Sequence, residues 1–482
     1  MAGHIKAPRF PLGNALSVPP ASLGGDAKKA QGSRVAGNSK RLPNKHLGSV
    51  DGPRWDLAFI GILGYMFIEF TRLPDMYPVL RHLSLGKVFI GLALLGWIVA
   101  PRPVDGPRRY AWQVDVAMIV FLVACFGSAL FAADRALAFA KLLDVLQWGA
   151  VYFLLSRTLT GSWRLRIFAL LLLLLCLKLS QFEIRDYFGQ RTFGRSEEFL
   201  SMHGVGAGSA GFFGNGGDFG VAMCVVWPLA GSLLFGETKK LARAFLWICF
   251  SLFLVSIFLC GSRGAILGAG MIALVSWAKQ PKRIVGVAMI GLLALGVYLL
   301  PGATLERLRL TNTERDDTGQ MRIHLWKAGM DMFEHHPVFG VGLENFGSTY
   351  IGEYGGSTAI GTVHVEHSIY VQALAETGLA GALPLVCLWI LFLSVNRRTR
   401  KHLKSLGLAN RTCFEYRLSV GLDLAFVGYM VSGAFITVLF YPHLWYMLGL
   451  CVALNANCFA KQPAGARTER PERARSLALA TR

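Results

Sequence analysis

The chain has 482 residues, of which 53% are hydrophobic and only 16% charged, with a mean hydropathy of +0.45. Soluble domains carry roughly 25% charged residues, so this deficit and the repeated long apolar runs identify a chain whose main solvent is lipid. The formal net charge of +20 does not indicate nucleic acid as a partner. The basic residues sit in short loops between apolar segments and in the tails, where they set membrane topology.

Residues 1–54 are rich in Gly, Pro, Ala, Ser and Lys and lack an apolar run, which reads as a disordered basic tail. No short positive start is followed by an apolar core, so no cleavable signal peptide is expected and the first spanning helix serves as the targeting signal. Apolar segments able to span then follow near 55–72, 86–101, 112–132, 136–156, 164–182, 217–235, 243–260, 263–278, 284–301, 368–395, 417–440 and 443–460. The second is short, and the last two are joined tightly at Tyr441-Pro442. The expected fold is all-α: a polytopic membrane helix bundle of about twelve transmembrane helices. It occupies 55–460, includes a long periplasmic loop at 302–367 containing short helices, and is followed by a second basic tail at 461–482.

Loop charges orient the bundle. Arg102, Arg108 and Arg109 follow the second segment, Arg157, Arg164 and Arg166 the fourth, and Lys239, Lys240 and Arg243 the sixth. Lys279, Lys282 and Arg283 follow the eighth, and Arg397, Arg398, Arg400, Lys401, Lys404 and Arg411 the tenth. Positive charge on every second loop places both termini in the cytoplasm. The two long loops, 183–216 and 302–367, then face the opposite side and carry most of the histidines. Nine cysteines form no CxxC pair and fall mainly within apolar segments. They imply neither a disulfide framework nor a zinc site.

Four stretches could carry chemistry. At the turn Cys260-Gly261-Ser262-Arg263-Gly264, Ser262 can cap a helix whose free N–H groups, with the Arg263 guanidinium, suit a phosphate or diphosphate. The competing reading of Arg263 is an interface arginine snorkelling to the headgroups. Arg322, Trp326 and Met330 recur at helical spacing before the turn His336-Pro337-Val338-Phe339-Gly340-Val341-Gly342, and Arg322 could reach a diphosphate from a helix on the membrane surface. His335 and His336 are adjacent and cannot easily face one ion, so no metal is expected. His367, in the run from His364 through Glu366 and Tyr370 to Gly378, sits where the long loop enters the tenth segment and could take a proton from a hydroxyl. Its competing reading is a helix cap. Tyr370 shares its face, while Glu376, nine residues on, should point to the opposite one. The loop 183–216 holds Arg185, Arg191, Arg195, Glu197, Glu198 and His203 before a Gly-rich stretch; its arginines could bind a lipid phosphate or simply solvate the loop. No GxGxxG or Walker A pattern is present, and Asp316-Asp317 is not a DxD motif, so no nucleotide or cofactor is implied. Lys141, Asp144 and Asp423 lie inside apolar segments and are suspects for function or for structural pairing.

The series Gly261-Ser262-Arg263-Gly264, Arg322…Leu325-Trp326, His336-Pro337…Gly340-Val341-Gly342…Asn345-Phe346 and His367-Ser368…Tyr370…Gln372…Glu376-Thr377-Gly378…Gly381 resembles the O-antigen ligase/O-antigen polymerase family of lipid-linked glycan transferases. The resemblance implies glycosyl transfer at the periplasmic face of the bacterial inner membrane. The donor would be a glycan on undecaprenyl diphosphate, and the acceptor a hydroxyl of another glycan, of lipid A-core or of a protein. It maps the candidate base onto His367 and diphosphate binding onto Arg263 and Arg322, with Arg191 added from the other long loop. Ser262, Tyr370, Glu366 and His364 are supporting groups. It further implies inversion of the anomeric centre, no metal and no cofactor. Where members of this family often carry an Asn-Pro-Asn-like stretch, this chain has Phe213-Gly214-Asn215-Gly216-Gly217-Asp218, which points to a divergent branch such as an exopolysaccharide polymerase. The alternative class is a transporter or flippase of the same lipid-linked sugar, which should place essential charges deep among its helices rather than at the rim.

Overall fold

A computed structural model describes residues 55–71, 77, 80, 82–99, 111–192, 216–279, 291, 317–355 and 365–460, with the side chains of 189–192, 279 and 317–318 excepted. Contacts divide the chain into Met1–Gly48 and Ser49–Arg482, and every described residue lies in the second unit. Among the described residues there are thirteen helices and no strand. In chain order they are α1 (Leu57–Thr71), α2 (Leu85–Val99), α3 (Trp112–Leu130), α4 (Arg135–Thr158), α5 (Gly161–Thr192), α6 (Gly216–Leu234) and α7 (Lys240–Leu259). They continue as α8 (Arg263–Lys279), α9 (Asp317–His335), α10 (Phe346–Glu353), α11 (Ile369–Ser405), α12 (Phe414–Gly433) and α13 (Pro442–Phe459).

Eleven of the expected apolar segments are helices; the one near 284–301 lies outside the described residues apart from Gly291. Six helices, α3 to α7 and α11, are long and apolar enough to cross a membrane, and α1, α2 and α8 are shorter apolar helices. Helices α12 and α13 have 20 and 18 residues but spend apolar positions on buried polar groups: Glu415, Ser419 and Asp423 in one, His443, Asn455 and Asn457 in the other. The chain is a helical membrane protein, and its helices follow lipid logic. On α3, Val116, Ile119, Val120, Val123 and Phe126 are exposed, while Val114, Met118, Phe121 and Cys125 are buried. Both faces are apolar because one meets protein and the other acyl chains. Helix α6 is buried along almost its whole length and packs against α7, α8 and α12.

Two expected boundaries are corrected. Residues 183–192, read as the start of a loop, continue α5, with Glu183 fully buried and Tyr187 nearly so. Residues 396–405, read as a basic loop, extend α11. There Asn396 Nδ2 donates to Asp423 Oδ1 and to the Ser419 carbonyl, each at 2.7 Å, and Arg400 reaches Asp423 Oδ2 at 2.5 Å. Helix continuation is favoured because it brings Asn396 and Arg400 against the buried Asp423, whose charge needs both.

The feature that places the candidate site is a break in α11. Gly378 has φ 57° and ψ −161°, a region essentially reserved for glycine. The break frees main-chain groups, and the loop after α9 takes them up. Leu379 N donates to the Pro337 carbonyl at 2.8 Å, Ala380 N to Val338 O at 2.9 Å, and Val341 N to Ala375 O at 2.8 Å. Gly340, at φ 69°, lies so close that a Cβ would sit 2.4 Å from Ala375 O. The same loop is tied to the α3–α4 corner. Asn345 accepts from Asp134 N at 2.7 Å and donates to Asp134 O at 3.1 Å and to Leu343 O at 2.8 Å. Phe339 stacks on Phe131 with centroids 4.9 Å apart, and Lys141 Nζ pairs with Glu344 at 2.9 Å. Beyond this latch, Phe346, Leu325, Met332, Val341 and Ala375 form a small core of their own, so α9 and α10 are held as one body.

The Gly378→Ala variant tests the latch. Its Cβ would lie 2.4 Å from Val338 O, and the backbone strain alone costs about 1–3 kcal/mol. We predict a lower unfolding temperature in detergent and new protease cleavage around α9 and α10. Unchanged melting and protection would show that the latch is dispensable.

Candidate functional site

The predicted site residues meet at a short connector, residues 434–441, between α12 and α13. His367 immediately precedes Ser368, the N-terminal flanking residue of α11. Its φ of 49° is left-handed and uncommon for a residue with a Cβ. The conformation is held by one bond to the connector: His367 N donates to Thr437 Oγ1 at 2.8 Å. Thr437 Oγ1 in turn lies 3.5 Å from Glu366 Oε2. Two residues on, Leu439 N donates to Gln372 Oε1 at 3.3 Å, and the Tyr429 hydroxyl donates to Val438 O at 3.3 Å. The turn bearing the imidazole is thus fastened to the connector at several points.

Helix α9 approaches the same connector. Trp326 packs against Phe435 with ring centroids 6.3 Å apart, and Arg322, one turn earlier on α9, is half-buried. The Arg322 guanidinium is near enough to His367 to act on it electrostatically. The turn before α8 also reaches the connector. Ser262 Oγ accepts from Ala265 N at 3.3 Å, the expected cap, and Arg263 is the first residue of α8. The next residue, Gly264, abuts Phe435: a Cβ there would meet Phe435 Cβ at 3.1 Å and Ser432 O at 3.3 Å. Buried Glu183 on α5 faces Cys260 in the same turn.

The site's electrostatics follow from burial and from one cation. Burial and then Arg322 lower the proton affinity of His367 to a pKa of about 4, so its imidazole is neutral at neutral pH. Its Nδ1 is buried and has no hydrogen-bond partner among the described residues, so no described carboxylate orients the ring. Burial raises the Glu366 carboxyl well above the ordinary range. Behind it, Gln372 Nε2 donates to Glu376 Oε2 at 3.3 Å.

The structure therefore brings His367, Glu366 and Arg322 to one connector, and Gly264, next to Arg263 at the start of α8, abuts the same connector. Tyr370 is spent on structure: its hydroxyl donates to Met430 O at 3.0 Å and its ring sits edge-on to Trp389. His364 lies outside the described residues, as do Asn215, Arg195 and His203, and Arg191 is described only as backbone at the end of α5. Glu376, expected on the face away from His367, interacts with Glu366. Lys141 pairs with Glu344 and not with Asp144 alone. Thr437, Phe435 and Gln372 were missed as parts of the site. Ala434-Phe435-Ile436-Thr437 carries no local signal in a single sequence, since its role appears only when three distant segments meet there.

Residues 248–405 match the family model described as O-antigen ligase. The matched stretch runs from α7 to the end of α11 and contains Arg263, Arg322, Asn345, His367 and Gly378. No curated protein matches the chain.

Removing the cation should relax the histidine. For Arg322→Gln we predict that the His367 titration moves up from about 4 toward the ordinary histidine range, as read by NMR of ring-labelled histidine in the purified protein. An unmoved titration would place Arg322 outside the site.

Proposed function

With residues 248–405 matching the O-antigen ligase family, we propose that the chain is a glycosyltransferase of the ligase/polymerase type. It moves a glycan from undecaprenyl diphosphate to an acceptor hydroxyl at the periplasmic rim of the inner membrane. The observation that supports this reading is a neutral buried histidine beside Arg322 at the connector against which Gly264, the neighbour of Arg263, packs. A neutral imidazole can accept a proton; two guanidiniums beside a helix N-terminus suit paired phosphates.

The reaction is a direct displacement. The acceptor hydroxyl gives its proton to His367 as its oxygen bonds to the anomeric carbon. The bond from that carbon to the diphosphate oxygen breaks, and the electron pair leaves with the diphosphate. Attack from the face opposite the leaving group inverts the centre. Arg263 and Arg322, aided by Arg191, stabilise the charge that grows on the diphosphate, so the residues themselves supply what a metal would. The proposal also explains why Arg322 stands beside the base. In the empty site its charge disfavours protonation of His367. A bound diphosphate neutralises that charge, so the base strengthens when the donor is in place. Intramembrane charges are consistent with an enzyme rather than a transporter: Asp423 with Arg400, Asp115 with Arg157 and Lys141 with Glu344 are already paired.

Complementation of a deletion strain tests the roles. His367→Ala should reach the membrane yet lower transfer by about 10²-fold or more, the scale of a lost general base. Arg263→Ala should raise the donor requirement about 10- to 100-fold, the scale of a lost charge-assisted hydrogen bond. Full transfer by the histidine variant would remove His367 as base, and unchanged donor dependence would remove Arg263. The glycan profile of the deletion strain separates the branches: uncapped core with intact polymer indicates a ligase, single repeats a polymerase.

A further inference from the structure

Beneath the His367 turn lies a cluster that the transfer reaction does not use. Glu366 and Glu376 are 1% and 2% exposed, and their carboxyls lie within hydrogen-bonding contact of each other. Two carboxylates have only acceptors to offer, so such a contact is attractive only when one of them carries a proton. The other groups facing them do not remove that need. Lys141, from α4, is committed to Glu344 at 2.9 Å and acts on Glu376 only at longer range. Glu344, from the loop between α9 and α10, adds a further negative charge. Arg322, from α9, faces His367. Thr437, from the connector, and Gln372, from α11, contribute only neutral donors, at 3.5 Å and 3.3 Å. Glu366 Oε1 is buried and meets no donor among the described residues.

We infer that Glu366 and Glu376 act as one proton-sharing carboxyl pair whose task is to position His367 through Thr437. The inference rests on the reading of His367 as the base. The path is short. His367 N–H donates to Thr437 Oγ1 at 2.8 Å, and the single Thr437 hydroxyl proton is aimed at Glu366 Oε2 at 3.5 Å. With one proton shared, Glu366 stays under the turn, and Thr437 has an acceptor that fixes its hydroxyl to receive the His367 amide. With the proton lost, two buried like charges repel, Glu366 withdraws, and the left-handed turn loses its tether. Burial raises Glu366, and the two carboxyls titrate as a pair: loss of the first proton leaves the shared-proton arrangement, which is lost only when rising pH removes the second. The pair thus sets an alkaline limit on activity, while protonation of His367 near pH 4 sets the acid one.

The test uses detergent-permeabilised membranes of a deletion strain complemented with each variant, so that both faces see the buffer and the cell's own lipid-linked glycan is the donor. Polymer or capped product is read across pH. Glu366→Ala should lose at least about tenfold in turnover, with donor requirement little changed, and Glu366→Gln should restore it to within about threefold of wild type. A glutamine can donate to Glu376 and still accept from Thr437, and it cannot be deprotonated, so its alkaline limb should disappear. Glu376→Gln should behave in the same way and guards against a local folding fault at position 366. The inference is overturned if both glutamine variants are as inactive as Glu366→Ala, if neither reaches the membrane, or if their alkaline limb is that of wild type. His367→Ala is run alongside. Transfer by that variant would overturn the reading of the base, whereas its inactivity beside inactive glutamine variants would overturn the carboxyl pair alone.

Discussion

Buried main-chain N–H and C=O groups have to be paired, and lipid makes the requirement strict. In this protein the break of α11 at Gly378 leaves such groups without helical partners, and the loop from Pro337 to Val341 supplies them. Almost everything about the candidate site follows from that pairing. It brings α9 against the membrane domain, stands Arg322 beside His367, and draws Asn345 onto the α3–α4 corner. The glycines at 340 and 378 are fixed by geometry: a side chain at either would collide with the main chain of its partner. A motif that looks like a catalytic signature is thus in large part the fastening that carries the proposed catalytic groups.

The second organising element is the connector between α12 and α13. It is short, yet its Phe435 meets both α8 and α9, while Thr437 and Leu439 bond to the start of α11 at His367 and Gln372. Convergence on one short segment suits the proposed reaction, in which a base and two cations hold a fixed spacing around a diphosphate and an anomeric carbon. Among the described residues, Arg400 pairs with Asp423 and Arg157 with Asp115 away from the connector.

The helical class and most segment positions were legible in the sequence because lipid imposes one rule, long apolar runs bounded by basic loops. That rule failed where polarity inside a helix has a partner elsewhere. Asn396 and Arg400 looked like loop residues until Asp423 was seen across from them, and Glu183 looked like the start of a loop until its burial on α5 was seen. His367, Arg263 and Arg322 were legible as a set because their residue types match the chemistry and their order resembles the family. Thr437 and Gln372 were not, since a threonine and a glutamine in apolar surroundings have many uses and their hydrogen bonds join residues 70 and 67 positions apart. The pairing of Glu366 with Glu376 was hidden by helical periodicity, which does not hold through a left-handed residue.

The central claim is that Arg263 and Arg322 grip a diphosphate in front of a neutral His367. Electron cryomicroscopy of the protein with undecaprenyl diphosphate addresses it most directly. The account predicts phosphate density in contact with both guanidiniums, on the side of the connector that His367 faces. Phosphate density bound elsewhere, with both arginines untouched, would contradict it.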